Sequence, residues 1–334
     1  MNHSAALTLD QLCELACAAH TRETFSPFGE QHHLIVDLRA QSDVLSRSDT
    51  QSIRTWLQQL PCPSIAIANE HPLSDAFDIV VATPEETKTL CGNIERTPIA
   101  AMTLVQVLRC TERLPAAEGL LVESLAYATL QAGPEFKAWS SANPPTAVEI
   151  GDEGPPLLTE REGDALRVQL NRPSRRNAIS IEMRDALAEL FQFVTIDTSL
   201  HDVTISGNGA CFSVGGDIDE FGTAPDPATA HTIRSVRLPA RYLIACADRV
   251  AFHVHSACIG AGIEIPAFGH RVTATRNAFF QLPEVRFGLI PGAGGCVSIP
   301  ARIGRQRAAY MALSGKKINA VTALEWGLID EIVD

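Results

Sequence analysis

From residue 165 onward, short runs of alternating apolar and polar positions are interleaved with longer runs of helical period. ALRVQL (165–170) has the two-residue period of a half-buried strand. SIEMRDALAELFQFV (180–194) repeats its apolar positions at helical spacing, with Ser180 placed to cap the helix. DVTISG (202–207), RVAFHVHSA (249–257) and RVTAT (271–275) read as further strands, and residues 228–247 as a helix. Gly-rich turns appear in CFSVGGDIDEF (211–221), IGAGIEI (259–265) and LIPGAGGCVSIPARIG (289–304). Strands alternating with helices predict an α/β fold with a mostly parallel sheet.

Before residue 140 the same signals are weaker. HLIVDLR (33–39), CPSIAIAN (62–69) and DIVVAT (78–83) read as strands and 98–139 as helices, without a Gly-rich turn. The stretch near 140–157 concentrates prolines with Gly, Ser and acidic residues, a composition that suits a linker. The pattern therefore divides the chain into an N-terminal helical segment (1–30), a first region (31–140), a linker (141–157) and a second region (158–334).

Composition narrows the function classes. The chain has 334 residues, 46% of them hydrophobic and 20% charged, which suits a globular protein with a sizeable core. A net charge of −12 argues against a nucleic-acid partner held by a general basic surface. No apolar run approaches the ~20 residues that cross a bilayer, so no membrane partner is expected. The first residues lack the layout of a signal peptide. Nine cysteines without a CxxC or zinc spacing read as reduced thiols of a cytoplasmic protein. His253 and His255 would share a strand face, but the pattern supplies no third ligand, so packing is expected and no metal.

Candidate chemistry gathers at two of the Gly-rich turns. A strand that ends in Gly-Ala-Gly and opens a helix presents free N–H groups, a positive dipole end and small side chains. GAGIE (260–264) has this form and so does the turn in FSVGGDI (212–218). Two such turns can aim two donors at one oxyanion; each is equally readable as a tight turn only. Glu264 lies three residues after Ala261, and Glu284 sits in the otherwise apolar QLPEVRFGLIPGAGG. A carboxyl in apolar surroundings has a raised pKa suited to proton transfer near neutrality; a surface glutamate is the plain alternative.

Taken together, LNRPSRRNAIS (170–180), FSVGGDIDEF (212–221), IGAGIEI (259–265), FFQLPEVRFGLIPGAGGCVSIPARIG (279–304) and TALEWGLIDEIV (322–333) resemble the crotonase, or enoyl-CoA hydratase/isomerase, superfamily over residues 165–334. The resemblance implies a crotonase-like core of ββα repeats wound into a spiral, preceded by a partial crotonase-like or helical accessory region. It implies that the Gly216 and Ala261 N–H groups form an oxyanion hole and that Glu264 and Glu284 are the catalytic acids. Ala178 and the segment Gly216–Asp219, with Asp217 and Ile218 inside it, match positions lining CoA. Gly215, Gly260 and Gly262, at the two turns, are expected among the substrate- and CoA-binding residues, and Arg175 and Arg176 lie where basic residues meet CoA phosphates. The substrate would be an acyl-CoA, with no cofactor beyond the CoA it carries. The family implies a homo-oligomer, a trimer or a dimer of trimers.

The reaction implied first is hydration of a 2-enoyl-CoA to a 3-hydroxyacyl-CoA. Isomerisation, thioester hydrolysis, C–C cleavage and a non-catalytic acyl-CoA-binding subunit are the other readings. Two local departures stand out: Pro266 falls two residues after Glu264, where a helix should continue, and Gly269-His270 replaces the family's usual Cys-Asp. Architecture departs as well. Family members carry helices after the GLIDEIV motif, and residues 98–139 resemble that segment. Residues 61–83 resemble an eroded core without its turn and glutamates. Residues 30–140 are therefore expected to cap the second region.

Overall fold

The computed structural model describes residues 6–18, 21–39, 45–145 and 152–334. The first region runs α1 (Leu9–Cys17), β1 (Leu34–Asp37), α2 (Arg47–Gln58), β2 (Ser64–Ile67), β3 (Ile79–Val81), α3 (Pro84–Ile94), α4 (Pro98–Thr111), α5 (Ala116–Gln131) and α6 (Pro134–Ala142). Next come β4 (Leu157–Glu162), β5 (Ala165–Leu170), α7 (Ile181–Ile196), β6 (Asp202–Gly207), α8 (Pro227–Arg237), α9 (Pro239–Leu243), β7 (Val250–Val254), β8 (Ala257–Ile259) and α10 (Ala261–Glu264). The chain finishes with β9 (Arg271–Thr275), β10 (Phe279–Gln281), α11 (Gly295–Ile303), α12 (Arg305–Ser314), β11 (Ile318–Asn319), α13 (Ala320–Trp326) and β12 (Glu331–Val333).

The expected α/β class holds. Six strands form the main sheet in the order β12-β9-β7-β6-β5-β4. All its pairs are parallel except β4 with β5. Its register aligns Val168, Ile205, Phe252 and Val272 across four neighbouring strands, all of them buried. A smaller sheet, β11-β10-β8, carries the turn before α10.

Some expectations changed in detail. β4 was not anticipated, because LLTERE is an edge strand with five of its six residues exposed and so carries no apolar alternation. The helix expected over 228–247 is two helices. Pro239 supplies no N–H and holds Leu238 extended, so α8 stops at Arg237. The run 249–257 splits at Ser256, which has positive φ, into β7 and β8 of different sheets. His255 lies just past β7. It bonds the Gly209 carbonyl, whereas His253 bonds Thr273, so the two do not act on one ligand. Linker residues 146–151 lie outside the described residues.

The first region builds a parallel three-stranded sheet, β1-β2-β3. Strand alternation gives that sheet two packed faces. Val36 and Ala66 face α1 and α2, while Ile65, Ile67, Ile79 and Val81 join the core that runs through the second region. Leu104, Leu108 and Leu130 of α4 and α5 belong to that same continuous core. Helices 98–142 thus pack directly on α11, α12 and α8. Three of these junctions are polar and specific. Asn93 Nδ2 donates to the Leu313 and Ser314 carbonyls at the end of α12. Thr111 Oγ1 donates to the Cys296 carbonyl. Asp78, 1% exposed, receives Arg109 from α4 and Arg305 from α12 at 2.9 and 3.0 Å, together with the Ser64 N–H.

Candidate active site

Two turns meet beside the small sheet. Ile259 N–H donates to Ser213 and Ser213 N–H to Ala257, which zips the 212–216 turn onto β8. This join leaves the Gly216 and Ala261 N–H groups without a protein acceptor among the described residues, and both line one cleft of about 420 Å³. Gly260 has φ +50, and a Cβ there would sit 2.4 Å from Glu284 Oε1 and 3.7 Å from Glu264 Oε1. Glycine is required at that position on both counts, since a side chain would be strained and would collide with the carboxyls. The same distances place Glu264 and Glu284 around one point at the start of α10.

Glu264 is 2% exposed, and its Oε2 accepts the Ala293 and Gly295 N–H groups at 2.7 and 2.9 Å. The anticipated Pro266 effect is real but local. α10 ends after a single turn, Pro266 opens a 3-10 turn, and Ser298 Oγ donates to the Glu264 carbonyl at 2.7 Å. The Glu264 carboxyl still lines the cleft. Burial raises its pKa, and backbone N–H groups of 292–295 oppose the rise. Glu284 lies on the 3-10 turn Glu284–Phe287, and its Oε2 is buried with no hydrogen-bond partner. Burial first, and then the neighbouring Glu264 charge, push its pKa well above the carboxylate range.

A third carboxyl stands behind these two and was not anticipated. Glu123 of α5, 1% exposed, accepts the Gly294 N–H at 2.7 Å and the Cys296 N–H at 2.8 Å. Four successive N–H groups at the start of α11 are thus shared alternately, 293 and 295 to Glu264, 294 and 296 to Glu123. These donors would otherwise be orphans, so two carboxylates cap one helix end. Burial and the Glu264 charge raise the Glu123 pKa too. An acid inside the apolar stretch GLLVESLAYATLQ of α5 is the signal that could have found it.

The first region reaches the cleft elsewhere. Tyr127 of α5 lines it. Trp139 of α6 packs at 4.8 Å from Phe287, three residues past Glu284, and at 6.2 Å from Phe221, which follows the 212–216 turn.

Of the residues expected from sequence, Gly216, Asp217, Ala261, Glu264 and Glu284 line the cleft. Gly215, Gly260 and Gly262 shape its turns from behind. Ala178 is buried, Ile218 is exposed, and neither lines the cleft. Arg175 is paired with Asp217 at 2.8 Å and Asp219 at 3.0 Å, so its charge is already balanced. Arg176 is exposed, in a left-handed conformation just outside.

A family profile described as enoyl-CoA hydratase/isomerase matches residues 160–334. A 2,3-dehydroadipyl-CoA hydratase of Escherichia coli is 34% identical over 176 residues, 53% of this chain and 68% of that protein. A 1,2-epoxyphenylacetyl-CoA isomerase of the same organism is 32% identical over 182 residues, 53% of this chain and 70% of that protein. Among solved structures, an enoyl-CoA hydratase from Thermoplasma volcanium superposes with a TM-score of 0.50 at 35% identity, covering 54% of this chain and 73% of its own. An enoyl-CoA hydratase/carnithine racemase from Magnetospirillum magneticum gives 0.51 at 27% identity, covering 55% and 70%.

Proposed function

Because the chain belongs to the enoyl-CoA hydratase/isomerase family, we propose that it adds water across the double bond of a 2-enoyl-CoA thioester to give a 3-hydroxyacyl-CoA. One observation carries this reading. Two buried carboxyls converge on Gly260 beside two free backbone N–H donors. The Gly216 and Ala261 N–H groups polarise the thioester carbonyl and hold the enolate oxygen as charge develops there. A water held between the carboxyls loses its proton to Glu264 while its oxygen bonds to Cβ. Glu284 delivers a proton to Cα, which closes the balance of H and OH across the double bond. The environments suit these roles. Glu264 has two N–H donors that favour its anion, whereas Glu284 Oε2 has no partner and burial favours its protonated form. The substrate brings its own CoA, and the step calls for no other cofactor.

Isomerisation is the second reading. One Glu264 oxygen is fully engaged by backbone while Glu284 Oε2 has no partner, so a single-acid proton shuttle is geometrically available. Loss of the conjugated thioester absorbance with 2-enoyl-CoA substrates separates the two. For hydration, Glu264→Gln and Glu284→Gln should each lower kcat by about 10²–10⁴-fold. Unchanged rates in both variants would remove the two-carboxyl mechanism. A loss confined to Glu284→Gln would favour isomerisation.

A further inference from the structure

Arg234 of α8 lines the cleft that holds Glu264, Glu284 and the two free N–H donors. Its guanidinium forms no ion pair among the described residues. Nε donates to Ser124 Oγ at 3.1 Å, both Nη atoms reach Gln131 Oε1 at 3.3 Å, and Nη2 reaches the Ser124 carbonyl at 3.4 Å. All of these acceptors are neutral and most of the contacts are long. The cleft's other guanidinium, on Arg184, is balanced by Asp185 at 2.7 Å. Arg234 is moreover laid over the Tyr127 ring, 4.5 Å from its centroid. That ring is seated so closely on Gly292 that a Cβ there would lie 2.4 Å from it. The cation is therefore fixed in orientation before any ligand arrives, and at least one Nη hydrogen remains unspent.

A cation taken from water without a counter-charge is costly, and the cost is recovered when an anion binds to it. The same cleft is lined by an apolar set that includes Ala230, Ile233, Leu238, Pro239 and Ile265. Such a wall takes methylene groups, and a planar fork at its edge suits a carboxylate. Arg234 enters with α5 and α8, not with the 175–180 loop or the 215–219 turn, where the CoA moiety is expected.

We propose that Arg234 recognises a carboxylate at the far end of the acyl chain, making the preferred substrates thioesters of dicarboxylic acids. This inference rests on the acyl-CoA reading of the same cleft. The anion could also come from a phosphate of CoA, and the experiment separates the two sources. Binding of a saturated six-carbon acyl-CoA and of its ω-carboxylated counterpart to the full-length protein is measured by calorimetry, for the wild type, Arg234→Gln and Arg234→Lys. The wild type should bind the carboxylated ligand at least about tenfold more tightly. Arg234→Gln should lose that preference while its affinity for the neutral ligand stays within about twofold, and Arg234→Lys should keep part of it. Equal affinities in the wild type, or a preference that survives in Arg234→Gln, overturns the proposal. An equal loss for both ligands assigns Arg234 to the CoA phosphates and overturns it too. Turnover of a neutral 2-enoyl-CoA is followed in parallel. Hydration without a carboxylate preference sinks this inference alone, whereas preference without hydration sinks the hydratase reading alone.

Discussion

Glu123 and Glu264 hold the start of α11 between them, so a change in one carboxyl is felt by the other through a shared backbone. Glu123 does not line the cleft and acts by positioning. In Glu123→Gln, one carboxylate oxygen becomes an NH₂ facing an N–H donor. Residues 293–296 should loosen, at a cost of about 1–3 kcal/mol in denaturant unfolding. The expected kinetic signature is a kcat lowered about tenfold with KM nearly unchanged, because Glu264 loses aim and the thioester site does not. Glu284 gives a prediction in pH. Its folded pKa lies above the unfolded value of ~4.3, so the folded state binds the proton more tightly. The stability this contributes is complete below the unfolded pKa and is lost as pH rises towards the folded one. Between about pH 5 and pH 8 the Tm of Glu284→Gln should therefore fall less than that of the wild type. A parallel fall in the two proteins would show that Glu284 is not the group responsible. Glu284 was legible in the sequence because an acid surrounded by apolar residues beside a Gly-rich turn is conspicuous. Glu123 has the first mark and lacks the second, and its partners lie 171 and 173 positions away, where no spacing rule reaches.

Among the elements, α6 packs against both turns of the site without lining the cleft. Its Trp139 stands between Phe287, on the turn that carries Glu284, and Phe221, beside the 212–216 turn. Trp139→Ala should cost about 2–4 kcal/mol through the cavity it leaves. It should also lower kcat/KM more than an equally destabilising change in the α1–α2 layer, a comparison that denaturant midpoints and steady-state kinetics provide. Elements with strong period were readable: β5, α7, β6 and β9 lie where alternation or helical spacing put them. β4 was unreadable because its side chains face water, and the break between α8 and α9 needed the backbone consequence of Pro239 to be weighed against an apolar run that continues through it.

At the scale of the whole molecule, the two regions are joined by one hydrophobic core and by Asp78, which takes two guanidinium groups from different regions in a buried site. Asp78→Asn strips Arg109 of its carboxylate and leaves Arg305 only Glu112, and should destabilise the chain by about 3–5 kcal/mol, read as a lower denaturant midpoint. Removing residues 1–150 strips Leu104, Leu108 and Glu123 from the core and the site at once. The remainder should be insoluble or inactive, and a soluble, fully active fragment would show that the first region plays no part. The α/β class of residues 158–334 was legible from period alone. How the first region sits on them was not, because surfaces buried between regions look like any other core. Gly294 and Cys296 are made long after Glu123, so a ribosome must extend the chain well past α10 before this acid can meet its donors. Until then Glu123 waits hydrated and charged on an open helix face, and closing so distant a contact is slow. On refolding from denaturant, far-UV circular dichroism should accordingly recover before turnover does, with a lag between the two signals.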